Sequence, residues 1–163
     1  MSSADKNLSD VHINASIDAS KFKFGIVVAD WNEQVTESLY AGAYQTLVNA
    51  GAQREKIIRM NVPGTFELSL GAQWMAEKKD IDAVICLGCV IQGETRHFDF
   101  ICDAVANGIT NVGLKFNKPV IFGVLTTDNM KQALDRAGGK HGNKGDEAAA
   151  TAIKMLAVKE QLT

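Results

Sequence analysis

The chain has 163 residues, 46% of them hydrophobic and 22% charged, a balance that excludes a wholly disordered or collagen-like protein. Lys and Arg number 17 against 19 Asp and Glu, for a formal charge of −2. Neither sign gathers into a block, so nucleic acid is not an expected partner. No apolar run reaches the ~18–20 residues of a membrane span and the first twenty residues hold no apolar signal core, so a cytoplasmic protein without membrane contact is expected.

Residues 1–20 mix Ser, Asp, Asn and Ala without a period and read as an N-terminal arm, disordered alone or ordered by a neighbour. Residues 21–163 are of one-domain length. Phe22 to Ala29 is an apolar run of strand length. After Asp30-Trp31-Asn32 comes a helical stripe of Val35, Leu39, Ala43 and Leu47, which Gly51 ends as the residue after the C-cap. Ile57 to Val62 is a second strand, stopped by Pro63-Gly64, and Phe66, Leu70 and Trp74 then recur at helical spacing. Ile81 to Leu87 is a third strand. The Gly88 to His97 stretch separates it from a helix over Asp99 to Phe116. Val120 to Leu125 is a fourth strand, and Thr127-Asp128 offers N-cap chemistry for a short helix to Ala137. Gly138-Gly139 stops that helix before a last one from Gly145 to Glu160.

Four strand–helix units with strands apolar on both faces predict an α/β fold: a doubly wound, three-layer sandwich around a four-stranded parallel sheet, with the arm or an added strand at the N-terminus. In such folds ligands bind beyond the carboxyl ends of the strands. The segments there are Asp30 to Asn32, Val62 to Glu67, Gly88 to His97 and Thr126 to Asn129. Together they hold aromatics, glutamates, a histidine, an arginine and hydroxyls, the chemistry of a pocket for a flat polar ring beside a small anion.

Trp31 either stacks on a planar ligand or covers the sheet edge. Glu67, at a helix start with Phe66, either accepts from ligand hydroxyls or favours the helix N-terminus. Gly93-Glu94-Thr95-Arg96-His97 has the make-up of a small-anion cradle but lacks the Lys-Ser/Thr of a triphosphate loop, and no dinucleotide fingerprint follows the first strand. His97 beside it is either a proton carrier or a structural histidine. Arg136 and the Gly138 to Gly145 run, which holds Lys140 and Lys144, form either a phosphate or polyol clamp or a solvated loop. Cys86, Cys89 and Cys102 read as buried structural thiols, because strand residues three apart point to opposite faces. His12, His97 and His141 are scattered, so a metal is not expected.

Four stretches carry a more specific pattern: Asn61-Val62-Pro63-Gly64-Thr65-Phe66-Glu67, Gly88 through Asp99, Phe122-Gly123-Val124-Leu125-Thr126-Thr127-Asp128-Asn129, and Asn143-Lys144-Gly145-Asp146-Glu147-Ala148-Ala149. In order and at compatible spacing from about Lys23 to Val158, they resemble the 6,7-dimethyl-8-ribityllumazine synthases of riboflavin biosynthesis. The resemblance implies a flavodoxin-like sandwich and a cofactor-free transferase. That enzyme condenses 5-amino-6-(D-ribitylamino)uracil with 3,4-dihydroxy-2-butanone 4-phosphate. It implies that Trp31, where the family usually has Phe, stacks on the pyrimidine, that Thr65, Phe66 and Glu67 hold the ribityl chain, and that Val90 and Ile91 meet the ring through main-chain groups with Lys144 assisting. Glu94, Thr95 and Arg136 would hold the phosphate, and His97 would transfer protons. It also implies a homo-oligomer, a pentamer or an icosahedral shell of twelve pentamers, in which a neighbour lends Phe122. Gln92 departs from the family's usual Arg and removes a charge near the phosphate.

Overall fold

The computed structural model describes residues 7–13 and 17–162. One sheet holds β1 (Phe24–Ala29), β2 (Ile57–Val62), β3 (Ala83–Ile91) and β4 (Val120–Thr127), all parallel and in the order β2-β1-β3-β4. The helices are α1 (Glu33–Asn49), α2 (Leu68–Glu77), α3 (His97–Phe116), α4 (Met130–Asp135) and α5 (Lys144–Glu160). A short antiparallel pair, β5 (Ala137–Gly139) and β6 (Gly142–Asn143), joins α4 to α5.

The period of two along each strand sends its side chains to two separate cores. Phe24, Ile26 and Val28 of β1 pack with Val35, Leu39, Ala43 and Leu47 of α1 and with Ala149, Ile153 and Leu156 of α5. Val27 and Ala29 pack instead with Leu68, Ala72 and Met75 of α2, and Val105 and Ile109 of α3 share that core. The sheet is therefore covered on both faces, which is why its strands read as continuous apolar runs. Cys86 and Cys89 fall into opposite cores, as their spacing predicts.

The α1 stripe and the bounds of β2 agree with expectation, and Gly51, at φ +96°, follows the C-cap of α1. β3 and β4 run on past Leu87 and Leu125, to Ile91 and Thr127, and α3 begins at His97. The helical spacing of Phe66, Leu70 and Trp74 falls on α2, with Phe66 just ahead of it, and all three are half-exposed. α2 buries its other face, Leu68, Gly71, Ala72, Met75 and Ala76. The small residues there let the helix approach the sheet, since a Cβ at Gly71 would stand 2.8 Å from Val62 Cγ1 and 2.9 Å from Val27 Cγ1.

The N-cap of α4 is Asn129 rather than Thr127-Asp128: its extended backbone lets the side chain accept from the Gln132 amide, while Thr127 still pairs with Ile91 in the sheet. That helix stops at Asp135, and Ala137 to Gly139 pairs as β5 instead of ending it.

Among the described residues no strand precedes β1. The Leu8 amide donates to the His141 carbonyl at 2.7 Å, the Asn143 amide donates to Ser9 Oγ at 2.8 Å, and Ile13 and Ile17 rest on the α1 core. Residues 1–6 and 14–16 of the arm lie outside the described residues. At the other end of the hairpin, Asn143 caps α5 by accepting from the Gly145 amide at 2.8 Å while its Nδ2 donates to the Ser38 carbonyl of α1 at 2.9 Å.

Candidate active site

From β1 the chain crosses one face through α1 to β2, and from β3 it crosses the other face through α3 to β4. The connections diverge between the carboxyl ends of β1 and β3, the switch point where doubly wound sheets bind ligands. β3 is also longer than its neighbour there. Its pairing with β1 ends at Val28 with Leu87, whereas its pairing with β4 continues to Ile91 with Thr127. A cavity of about 290 Å³ fills this step.

The turn after β1 brings Trp31 and Asn32 to the cavity, with Trp31 73% exposed. Asn32 has a left-handed backbone at φ 63°. The Asp30 and Trp31 amides donate to the Val62 and Pro63 carbonyls at 2.8 and 3.2 Å, which ties the turn to the end of β2. A polar chain along β2 supports it. Arg59 lies over the Tyr40 ring at 4.3 Å and pairs with Glu37, its Nε donates to Asn61 Oδ1 at 2.8 Å, and Asn61 Nδ2 donates to Asp30 Oδ1 at 2.6 Å. The Arg59 guanidinium holds the Glu37 carboxyl below the usual carboxylate range.

The turn after β2 contributes Gly64, Thr65 and Phe66. Thr65 is buried and its Oγ1 donates to the Cys89 carbonyl at 3.4 Å, while Phe66 is 54% exposed. Glu67 is the N-cap residue of α2, but its side chain makes no capping hydrogen bond and faces outward.

Cys89, Val90 and Ile91 at the end of β3 form the wall of the step. Burial pushes the Cys89 thiol up to about 11, so it stays protonated at neutral pH. Past this wall, Gln92 to Arg96 form an exposed turn in which the Gln92 amide donates to the Thr127 carbonyl at 2.8 Å and the His97 amide to Thr95 Oγ1 at 3.4 Å. The N-cap residue of α3, Arg96, gives no side-chain hydrogen bond, and the Asp99 amide donates to its carbonyl at 3.1 Å. His97 opens α3 and lines the cavity with Ile101, one helical turn on.

Of the side chains singled out in the sequence, Trp31, Thr65, Phe66, Val90, Ile91 and His97 line one cavity. Glu67, Glu94 and Thr95 stand on the turns beside it, exposed. Phe122, Arg136 and Lys144 do not line it. Phe122 is paired with Cys86 in mid-sheet and packs toward the α2 and α3 core. Arg136 and Lys144 sit together at the β5–β6 hairpin, where the Lys144 amide donates to the Arg136 carbonyl at 2.8 Å and Lys144 Nζ pairs with Glu147 at 2.8 Å. Asn32, Gly64 and Cys89 also line it, within the segments expected beyond the strands though not singled out there, and Ile101 lines it from outside those segments. For Asn32 a signal was present, since Asn tolerates the left-handed turn conformation better than most residues.

A family model described as 6,7-dimethyl-8-ribityllumazine synthase matches residues 21–160. A protein of that name from Cytophaga hutchinsonii is 72% identical over 157 residues, which cover 96% of this chain and 98% of the relative. Relatives of the same name from Parabacteroides distasonis and Flavobacterium johnsoniae are 54% and 51% identical, covering 96% and 99% of this chain and 98% and 85% of their own. The chain belongs to the 6,7-dimethyl-8-ribityllumazine synthase family. The lumazine synthase match takes in every strand and every helix longer than one turn, together with all the side chains from Trp31 to Lys144. Among the described residues no helix is long and apolar enough to cross a membrane, and no three His, Cys, Asp or Glu side chains converge as metal ligands.

Proposed function

We propose that the cavity between β1 and β3 condenses 5-amino-6-(D-ribitylamino)uracil with 3,4-dihydroxy-2-butanone 4-phosphate. The products are 6,7-dimethyl-8-ribityllumazine, phosphate and two waters, and no metal or organic cofactor takes part. The observation that carries this reading is the convergence of two aromatics, a main-chain wall and His97 on one cavity at the switch point, in a chain of this family. Trp31 stacks on the pyrimidine, the ring meets the main chain of Val90 and Ile91, and Thr65, Phe66 and Glu67 hold the ribityl chain. The exposed turn at Glu94 and Thr95 presents amides and a hydroxyl to the phosphate. Arg136 is its counter-ion and Lys144 assists at the ring.

The ring amine of the uracil attacks the butanone carbonyl and loses water to form an imine. Phosphate then leaves by elimination, and the ribitylamino nitrogen attacks the remaining carbonyl, losing a second water as the second ring closes. His97 carries protons for imine formation and elimination. Much of the rate comes from holding two reactants in register.

Phe122, Arg136 and Lys144 complete the site when chains assemble, a neighbour supplying what a single cavity lacks. The half-exposed row of Phe66, Leu70 and Trp74 runs away from the cavity mouth along α2 and supports a homopentamer, alone or twelve to a shell. Residues 1–20 act as an arm on a single domain of residues 21–163, in the cytoplasm. The test mixes purified protein with both substrates and follows the lumazine chromophore and phosphate together. Stoichiometric product supports the reaction, and pyrimidine binding without product refutes it. His97→Ala should lower kcat about tenfold or more, and unchanged turnover at saturating substrate removes the proton-transfer role.

A further inference from the structure

Asn32 occupies the N-cap position of α1 yet gives the helix no side-chain hydrogen bond. An Asn there ordinarily accepts from an amide of the first turn. Its backbone is left-handed, a conformation unfavourable for any residue with a Cβ. Both departures serve one contact, in which Asn32 Nδ2 donates to the Cys89 carbonyl at 2.9 Å. Thr65 Oγ1 reaches the same oxygen at 3.4 Å from the turn after β2. Two turns from distant parts of the chain thus converge on one carbonyl.

That carbonyl is two residues past the last rung between β3 and β1. Main-chain groups of successive strand residues point to alternate edges. The Gln92 amide donates to Thr127 on β4, so Val90 also points toward β4, whereas Cys89 and Ile91 point to the edge that β1 has left. Asn32 stands where the next residue of β1 would hydrogen-bond. The amide and carbonyl of Ile91 follow on the same edge, in the cavity wall.

We propose that Asn32 is a positioning residue: its side-chain amide substitutes for the missing strand, fixes the Cys89 carbonyl, and so presents the Ile91 main-chain pair to the pyrimidine ring. The inference rests on the ring-binding reading of the cavity and sharpens it, because Ile91 rather than Val90 supplies the main-chain hydrogen bonds. Asn32 itself does not touch substrate.

Two variants test this role. Asn32→Gly keeps the left-handed turn and removes the amide, and Asn32→Asp keeps the size but sets an oxygen against the Cys89 carbonyl. Both should raise the KM for the pyrimidine about tenfold or more while leaving the KM for the butanone phosphate within about twofold. The melting temperature of Asn32→Gly should stay within about 3 °C of the parent. A pyrimidine KM within about twofold of the parent in both variants, or equal changes for the two substrates, overturns the proposal. Trp31→Ala separates its failure from that of the site reading. If Trp31→Ala weakens pyrimidine binding and the Asn32 variants do not, only the positioning role falls. If Trp31→Ala changes nothing, the ring-binding reading falls as well.

Discussion

Gly88 on β3 has no room for a methyl group. A Cβ there would stand 2.8 Å from Leu68 Cδ1, 2.8 Å from Thr65 Oγ1 and 3.1 Å from Thr65 Cγ2, where carbon contacts prefer ~3.5–4.0 Å. Leu68 and Thr65 are both buried, so neither can turn away into solvent. Overpacking of this kind costs about 1–3 kcal/mol, and the better strand preference of Ala offsets ~0.5–1 kcal/mol of it. Gly88→Ala should therefore lose about 0.5–2 kcal/mol, a fall of ~1–8 °C in melting temperature for a chain of this size. The strain is directed at the Gly64 to Phe66 turn and at the Thr65 hydrogen bond to Cys89, so the pyrimidine KM should rise as well. Melting is best compared at one protein concentration, since association would shift it. Leu68→Val, which lacks the Cδ1 atom, should cost less in the Gly88→Ala background than alone, with a coupling of about 0.5–1 kcal/mol. A Gly88→Ala protein that melts at or above the parent with an unchanged pyrimidine KM would refute the packing argument.

Asn143→Ala removes a helix cap and a second donor from the Ser38 carbonyl, which α1 still satisfies, so denaturant unfolding should show a loss of about 1–2 kcal/mol. Asn143→Asp retains the acceptor and should lose about half as much; equal losses would show that the cap contributes nothing. Burial pushes Cys86 up to about 12 and Cys89 up to about 11, while the partly exposed Cys102 is raised by burial and by Asp99. At pH 8 about one Cys89 in a thousand would be thiolate, so a disulfide reagent should modify Cys102 first, faster as pH rises, and the other two only on unfolding. Rapid labelling of Cys89 in the folded protein would contradict this order.

What the sequence made legible follows from where each signal arises. Burial on both faces turns strands into apolar runs, so β2 and the α1 stripe could be read directly. The α2 spacing identified a helix but not its buried face, and here Gly71 and Ala72 face the sheet while Phe66, Leu70 and Trp74 stay half-exposed. Gly88 broke the apolar run of β3 at Leu87, whereas pairing with β4 carries the strand on through Cys89, Val90 and Ile91. The link from Asn32 to Cys89 joins residues 57 apart and exists only once the sheet has formed. Arg136 and Lys144 were visible as a basic cluster, and the hairpin that gathers them lies away from the cavity of their own chain.

The uneven strand lengths at the centre of the sheet also divide the pocket mechanically. Its inner wall is a stretch of β3 still hydrogen-bonded to β4, so it can give way only when the sheet itself comes apart. The exposed turn from Gly93 to Arg96 has no such pairing with β4 and opens at lower free energy. Hydrogen exchange should accordingly find fast amides from Gly93 to Arg96 and slow ones at Val90 and Gln92, which point toward β4. Ligand entry can then flex the rim while the ring-facing surface keeps its shape until the protein denatures.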